Sequence, residues 1–222
     1  MRNNLNRKSF CYRMIKLSIL LVFIVGIFAS IQAQQLPQDN FERGLVLLRQ
    51  NKLQEAKKCF NQVIAQQPNR KAAYYYRGVC LVKLNNLNAA QKDFDKSLVI
   101  DSKYPLGFVG RAQVLIKKRN YDGAIKEIEK ALSFDARCAE AYYQKGVVFG
   151  YQKKTNEAIE TFKKCLNIEP KHAYAHYQLG LAYYQNKRPD LAIVHLEKFL
   201  ALAPDAPEAE QVRELLNALR KG

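Results

Sequence analysis

The sequence has little glycine, proline or cysteine, and each shortage excludes a class of protein. Ten glycines and seven prolines in 222 residues are too few for a chain dominated by linkers or fibrous low-complexity repeats. Five cysteines are far below the density of a scaffold held together by disulfides. Hydrophobic residues make up 48% of the chain and charged residues 25%, which is the composition of a folded globular protein.

The common sequence motifs of catalysis are also missing. The chain has no phosphate-binding loop, no GxSxG nucleophile turn and no HExxH zinc motif. Among its three histidines, His172 and His176 are spaced i, i+4 and His195 stands apart, whereas a metal site needs a third and usually a fourth ligand. The sequence therefore predicts a non-enzymatic protein without metal or cofactor, in which the histidines have structural roles.

Charge is unevenly distributed along the chain, which carries a net charge of +16. Residues 1–33 contain five basic residues and no acidic ones, and residues 17–31, LSILLVFIVGIFASI, are uncharged. A basic stretch, an apolar stretch and a small residue, here Ala33, form the layout of a secretory signal. We expect cleavage after Ala33 and export to a bacterial periplasm or envelope membrane.

Two other interpretations of the N-terminal segment remain open. Residues 15–33 are just long enough to act as an uncleaved membrane anchor. The N-terminal positive charges favour keeping residues 1–16 inside, which puts the rest of the chain outside. The opposite orientation would make the protein a membrane-anchored cytosolic adaptor. In either case the N-terminal segment predicts a membrane association.

From residue 37 the sequence repeats every 34 residues, without an insertion, over five blocks: 37–70, 71–104, 105–138, 139–172 and 173–206. Position twenty is always alanine: Ala56, Ala90, Ala124, Ala158 and Ala192. Position eight is glycine or alanine: Gly44, Gly78, Ala112, Gly146 and Gly180. Position twenty-four is aromatic or aliphatic: Phe60, Phe94, Ile128, Phe162 and Leu196. A fixed period of this length indicates a stacked array of identical units.

Each block is predicted to form two helices, as the fourth block shows. Its first half has apolar or small residues at i, i+4 and i+7, and its second half has a similar stripe from Ala158 to Leu166. Pro170 then ends the second helix. Glycine inside a helix costs about 0.5–1 kcal/mol relative to alanine. We therefore expect that glycine occupies position 146 because the second helix of the repeat packs closely against it.

This pattern of small residues at positions eight and twenty, a large one at twenty-four and proline at thirty-two resembles the tetratricopeptide repeat. The resemblance implies an all-α, right-handed superhelix of five helix-turn-helix repeats. Pentatricopeptide arrays, which bind RNA, have a 35-residue period and lack this pairing of small residues, so no nucleic-acid partner is expected. Residues 207–220 carry a further apolar stripe and predict a C-terminal capping helix that meets the unusual bulk of Phe199.

The resemblance also implies a concave groove, lined by the first helix of each repeat at positions two, five, six, nine, twelve and thirteen. Tyrosine is the commonest residue at these positions, and it offers a large rigid contact with a polar tip. The sequence thus predicts a scaffold that binds a protein or peptide; some tyrosines would instead pack within helix pairs. The predicted groove residues are Tyr75, Tyr76, Val79, Tyr143, Gln144, Val147, Tyr151, Tyr177, Gln178 and Tyr184.

Two columns of basic residues recur once per repeat. Position seven has Arg43, Arg77, Arg111 and Lys145, and position thirteen has Arg49, Lys83 and Lys117. Long basic side chains often cover apolar surface with their stems. Alternatively, the position-thirteen ladder forms a track for an acidic partner or an anionic head group. Tyrosines beside such ladders would also suit stacking on an envelope polysaccharide, which is the alternative function.

The positions that hold a terminal carboxylate in chaperone-tail-binding members of the family are occupied here by unsuitable residues: Phe41, Leu45, Tyr76, Leu106 and Gly110. Binding of a chaperone's acidic C-terminal tail is therefore not expected. The cysteines beyond the N-terminal segment, Cys59, Cys80, Cys138 and Cys165, have no spacing typical of a disulfide framework, and we expect buried free thiols.

Overall fold

Eleven α-helices follow one another along residues 39–220, the part of the chain that the computed structural model describes. The predicted signal segment falls in residues 1–38, which, with 221–222, lie outside the described residues. The helices are α1 (Asn40–Arg49), α2 (Leu53–Gln66), α3 (Lys71–Lys83), α4 (Leu87–Ile100), α5 (Pro105–Lys117), α6 (Tyr121–Phe134), α7 (Ala139–Tyr151), α8 (Thr155–Ile168), α9 (Ala173–Gln185), α10 (Pro189–Leu202) and α11 (Ala209–Leu219). In this part of the chain, no helix has both the length and the apolar character of a membrane span.

The helices stack in order as five antiparallel pairs. Within each repeat the first helix packs against the second, and the second packs against the first helix of the next repeat. First helices of neighbouring repeats also contact each other, so they form a continuous inner layer. This arrangement confirms the predicted all-α solenoid of five repeats.

The predicted close approach between paired helices occurs at the position-eight residue. A Cβ atom added to Gly146 would lie 2.5 Å from the Phe162 ring, and one added to Gly78 would lie 2.5 Å from the Phe94 ring. In the third repeat, where position eight is Ala112, the facing residue is the smaller Ile128, and both are fully buried. The two positions therefore match in volume, as dense packing requires.

The turn between the two helices of each repeat contains one residue in the left-handed backbone conformation. These residues all stand at position fifteen, with φ between 56° and 60°: Asn51, Asn85, Arg119, Lys153 and Lys187. In the second repeat the Asn86 amide donates to the Leu81 carbonyl and the Asn85 amide to the Val82 carbonyl. This is the Schellman pattern that satisfies the last carbonyls of a helix. The left-handed residue lets the chain reverse within three residues.

The last helix covers the end of the fifth repeat. Phe199 is fully buried and packs with Leu196, Val212 and Leu216. The helix begins at Ala209 rather than at the predicted residue 207, because the chain is still in a turn in which the Ala209 amide bonds to the Ala206 carbonyl. The apolar stripe of α11 nevertheless faces the repeat as the sequence predicts.

Candidate functional site

Two cavities lie along the inner layer of first helices, and together we call them the groove. Their volumes are about 710 Å³ and about 470 Å³. The two share several lining residues, among them Val79, Lys83, Glu140 and Tyr174. Residues from all five repeats contribute to the groove, so the stacking of the whole array shapes it.

Most of the predicted groove residues line these cavities, but they differ in exposure. Tyr75 and Tyr76 line the larger cavity, although Tyr75 is only 4% exposed and packs against Tyr104 as well. Tyr75 is thus as much a core residue as a groove residue. The smaller cavity is lined by Tyr143, Gln144, Val147, Tyr151, Tyr177 and Gln178, and Val79 lines both cavities.

Two predicted tyrosines lie at the edge rather than in the centre. Tyr151 is 59% exposed and stacks on Tyr121, with 5.7 Å between ring centroids. Tyr184 is 48% exposed and is not among the residues that line the groove. These two are therefore accessible but not enclosed, in contrast to Tyr143 and Tyr177.

The tyrosines at the centre of the groove pack against large buried aromatic rings. The Tyr143 ring lies 6.1 Å from that of Phe162, and the Tyr174 and Tyr177 rings lie 5.8 Å and 5.0 Å from that of Phe199. Burial raises the pKa of Tyr143, and burial together with Glu208 raises the pKa of Tyr174 to about 12. The phenols therefore remain neutral at physiological pH and present a fixed, partly apolar wall to the groove.

A hydrogen-bonded cluster around Glu140 lies at the meeting point of the two cavities. Gln144 donates to the Glu140 carboxylate at 2.8 Å and Gln113 at 3.3 Å, while the His172 Nε2 atom lies 3.3 Å from it. Burial alone would lower the pKa of His172, but the hydrogen bond and charge of Glu140 raise it overall. Glu140 is not among the groove residues predicted from the sequence, although it stands at position two of its repeat, which is a groove position in the family pattern.

The position-thirteen cations lie along the groove. Arg49 and Lys83 line the larger cavity, and Lys83 and Lys117 line the smaller one. All three are exposed. The Lys83 Nζ atom also lies 5.6 Å from the centre of the Tyr174 ring, so side chains of the second and fifth repeats meet across the groove.

Three of the four position-seven cations have a different role, because acidic residues on neighbouring second helices pair with them. Arg77 pairs with Asp93 at 2.6 Å and Arg111 with Asp95 at 2.7 Å. Lys145 pairs less closely with the exposed Glu129, at 3.6 Å. Position seven therefore links helices to one another, and position thirteen is the column that is available to a ligand.

The repeat pattern and the paired helices agree with comparisons to known proteins. Two family models, both described as tetratricopeptide repeat, match residues 41–105 and 109–166 and residues 151–217. The chain belongs to the tetratricopeptide repeat family. A comparison with curated proteins gave no match.

Solved tetratricopeptide structures share the fold. The protein TTC0263 of Thermus thermophilus is 18% identical with a TM-score of 0.68, and the match covers 83% of this chain and 99% of that one. A tetratricopeptide repeat protein from Parabacteroides merdae is 20% identical with a TM-score of 0.67, covering 82% of this chain and 70% of that one. At these identities the similarity establishes the fold alone, and the tetratricopeptide fold suggests a scaffold for protein–protein interaction.

In the part of the chain that the structure describes, the remaining candidate ligands and nucleophiles are the pair His176 and His195 and four cysteines. The Nδ1 atoms of His176 and His195 lie 2.9 Å apart, and His176 Nε2 lies 3.0 Å from the Pro170 carbonyl oxygen. Within residues 39–220, no group of three or more potential ligands is placed to hold a metal ion. The four cysteines of this region are free and buried, as the sequence predicts.

Proposed function

We propose that the protein is an exported, non-enzymatic scaffold whose groove binds a segment of a partner protein. The observation that carries the proposal is the row of tyrosines, Tyr143, Tyr174 and Tyr177, fixed against Phe162 and Phe199 at the wall of an open cavity. Side chains that are already ordered lose little conformational entropy on binding, so contact area is converted efficiently into affinity. Rigid aromatic anchors of this kind dominate the energetics of protein interfaces.

The proposed location rests on the sequence of residues 1–33, which has the layout of a secretory signal. If the signal is cleaved as we propose, the mature protein begins at Gln34. Mass spectrometry of the native protein tests this. A mature mass that starts at Gln34 supports the proposal, and an intact chain in the membrane fraction means an uncleaved anchor.

Partner capture by a photo-cross-linker tests the groove itself. We would place the cross-linking residue at Val79, which lines both cavities, and a control at Val99, which is 76% exposed and lies outside them. The proposal predicts one or a few specific adducts from Val79 in the cell envelope. It also predicts their loss in Tyr143→Ala/Tyr177→Ala, because truncation of two anchors lowers affinity at least about a hundredfold.

A Tyr143→Phe/Tyr177→Phe variant is the matched control, since it keeps the ring packing. Capture that survives in the folded alanine variant, as monitored by circular dichroism, contradicts the groove as the binding site. Equal adducts from Val79 and Val99 contradict it as well.

The alternative, binding of an envelope polysaccharide, is favoured by a separate feature. The exposed Tyr151 ring borders a third cavity of about 320 Å³ that Gln178 and Gln185 also line. An exposed aromatic face beside amide groups is suited to stacking on a sugar ring. Retention of purified envelope glycan by the wild type, and its loss in Tyr151→Ala but not in Tyr143→Ala/Tyr177→Ala, would favour this alternative.

A further inference from the structure

The charges of the groove are balanced, although the chain as a whole is strongly basic. The larger cavity is lined by three basic residues, Arg49, Lys83 and Arg137, and by three acidic ones, Asp135, Glu140 and Glu169. The smaller cavity has two of each sign: Lys83 and Lys117, with Glu140 and Glu208. A purely acidic partner, attracted by the net charge of +16, would therefore meet three carboxylates inside the larger cavity.

Apart from Arg137, the two signs come from opposite ends of the first helices. Arg49, Lys83 and Lys117 are the last residues of α1, α3 and α5. On the other side, Glu140 lies in the first turn of α7, and Glu169 and Glu208 lie in the turns before α9 and α11. The turn before α7 adds one residue of each sign, Asp135 and Arg137. The groove therefore has a basic edge from repeats one to three and a second edge on which acidic residues are in excess.

These edge charges are not neutralised by one another. Within residues 39–220, the salt bridges include Glu140 with His172, but none involves Arg49, Lys83, Lys117, Glu169 or Glu208. By contrast, the position-seven cations Arg77, Arg111 and Lys145 all have acidic partners. Charges that line a common cavity without pairing are available to a ligand that carries both signs.

The basic edge reaches the tyrosine wall at one point. The Lys83 ammonium group lies 5.6 Å from the centre of the Tyr174 ring, on the opposite side of the groove, which is within the range of a cation–π contact. The Tyr174 face, which already accepts an ammonium group of this protein, is equally suited to one from a partner.

We propose that the groove binds a segment of a partner protein that carries a basic and an acidic side chain. The basic side chain lies at Glu140 and Glu169 beside Tyr174, and the acidic one lies at Arg49 and Lys83. This inference rests on the proposed function and specifies the chemistry of the partner. It also fixes the direction in which the segment enters, because reversing the segment would place like charges together.

A peptide library tests the inference with the full chain. The probes are nonapeptides with proline at every second position, which keeps them extended, and with Lys, Glu, Gln, Leu or Tyr at the other positions. Peptides retained on the immobilised protein are sequenced. Retention on two variants, Tyr143→Ala/Tyr177→Ala and the groove-filling Val79→Trp, measures the background binding that does not depend on the groove. We expect the retained peptides to contain lysine and glutamate together, in one preferred order.

Groove variants then assign each preference to its edge. Glu140→Gln/Glu169→Gln should reduce the lysine preference at least about tenfold, and Lys83→Gln should do the same for glutamate, as expected for charge-assisted contacts. Glu160→Gln and Lys163→Gln are matched controls, because this exposed pair on α8 does not line the groove; they should change neither preference.

The two proposals fail in different ways. Three results would overturn the proposed segment with both charges but leave the scaffold function intact. The retained peptides could show no charge preference, they could carry acidic residues alone, or their preferences could stay the same in the groove variants. Retention no greater than on both background variants overturns the scaffold function itself.

Discussion

At the scale of single residues, the structure depends on contacts between glycines and rings sixteen positions apart. Gly146 has no room for a methyl group because of Phe162, whereas Gly150, one turn further along the same helix, has nothing within 4 Å of an added Cβ atom. The two glycines of this helix therefore differ in role. Packing requires glycine at position 146, whereas at position 150 packing does not require it and it only weakens the helix.

This difference gives a paired prediction. Gly146→Ala should lower the free energy of unfolding by about 1–3 kcal/mol, because the added methyl group overpacks the contact with Phe162. Gly150→Ala should raise it by about 0.5–1 kcal/mol, through helix propensity alone. Denaturant titration of both variants measures the difference. Equal effects would mean that α7 and α8 do not pack in the register described.

The pair formed by the buried His176 and the half-buried His195 makes stability depend on pH. Burial, followed by the nearby His176, Lys198 and Lys163, lowers the pKa of His195 to about 4. Because this is below the ordinary value of 6.5, the contribution of the neutral ring to stability is complete above pH 6.5 and is lost as the pH falls towards about 4. His172, whose pKa is raised, contributes in the opposite direction as the pH rises.

We therefore expect the Tm to fall between about pH 6.5 and 4, and to fall less in His195→Gln, which cannot take up the proton. Thermal melts of both proteins across this range test the prediction. An equally steep decrease in the variant would assign the effect to other groups.

At the scale of helices, the sequence predicts pairing better than it predicts ends. The 34-residue period and the small residues at positions eight and twenty specify which helices pack together, because only small residues allow the two helices of a repeat to approach so closely. The start of α11 is less well predicted, since the stripe from Ala209 to Leu219 is visible in the sequence but the preceding turn depends on where α10 ends. Helix ends commonly vary by one or two residues for this reason.

The groove is predictable from the sequence only in part, because the repeat pattern specifies helix faces but not turns. Position within the repeat identifies residues that lie on the inner face of the first helices, such as Tyr143, Tyr177 and Lys83. It does not identify Glu169 or Glu208, which lie in turns and enter the groove only because the array curves. Nor does it separate Tyr75, which is mostly buried, from Tyr151, which is mostly exposed.

Removal of the last helix should affect both stability and binding. Truncation after Ala206 exposes Phe199, on which Tyr174 and Tyr177 rest, and deletes Glu208, which accepts a hydrogen bond from Tyr174. We expect a lower Tm, stronger binding of a hydrophobic dye and loss of partner capture. A truncated protein that melts as the full chain does would show that α11 is not a cap.

At the scale of the whole molecule, the two columns of basic residues differ in their surroundings. At position seven, Arg77, Arg111 and Lys145 stabilise the stack, because they pair with acidic residues of adjoining helices. Position thirteen presents its cations along the groove. Basic residues therefore link helices in one column, and we propose that they contact the partner in the other.

Substitutions in the two columns should separate these effects. Arg77→Gln/Arg111→Gln should destabilise the fold by about 1–3 kcal/mol, since the buried Asp93 loses its partner. Lys83→Gln/Lys117→Gln should leave the Tm within about a degree and slow association with the partner in a salt-dependent way. A destabilised second variant, or an unchanged first one, would reverse the assignment.

The free thiols are distributed so that they report on the array unit by unit. Cys59, Cys80, Cys138 and Cys165 lie in the first, second, third and fourth repeats, and all are buried. Burial raises the pKa of Cys80 and of Cys165 to about 12 and that of Cys138 to about 11. Because only an exposed thiolate reacts with an alkylating reagent, each cysteine is modified only when its own surroundings open. The rates of alkylation at the four sites would thus give a map of local unfolding along the solenoid, without any introduced label.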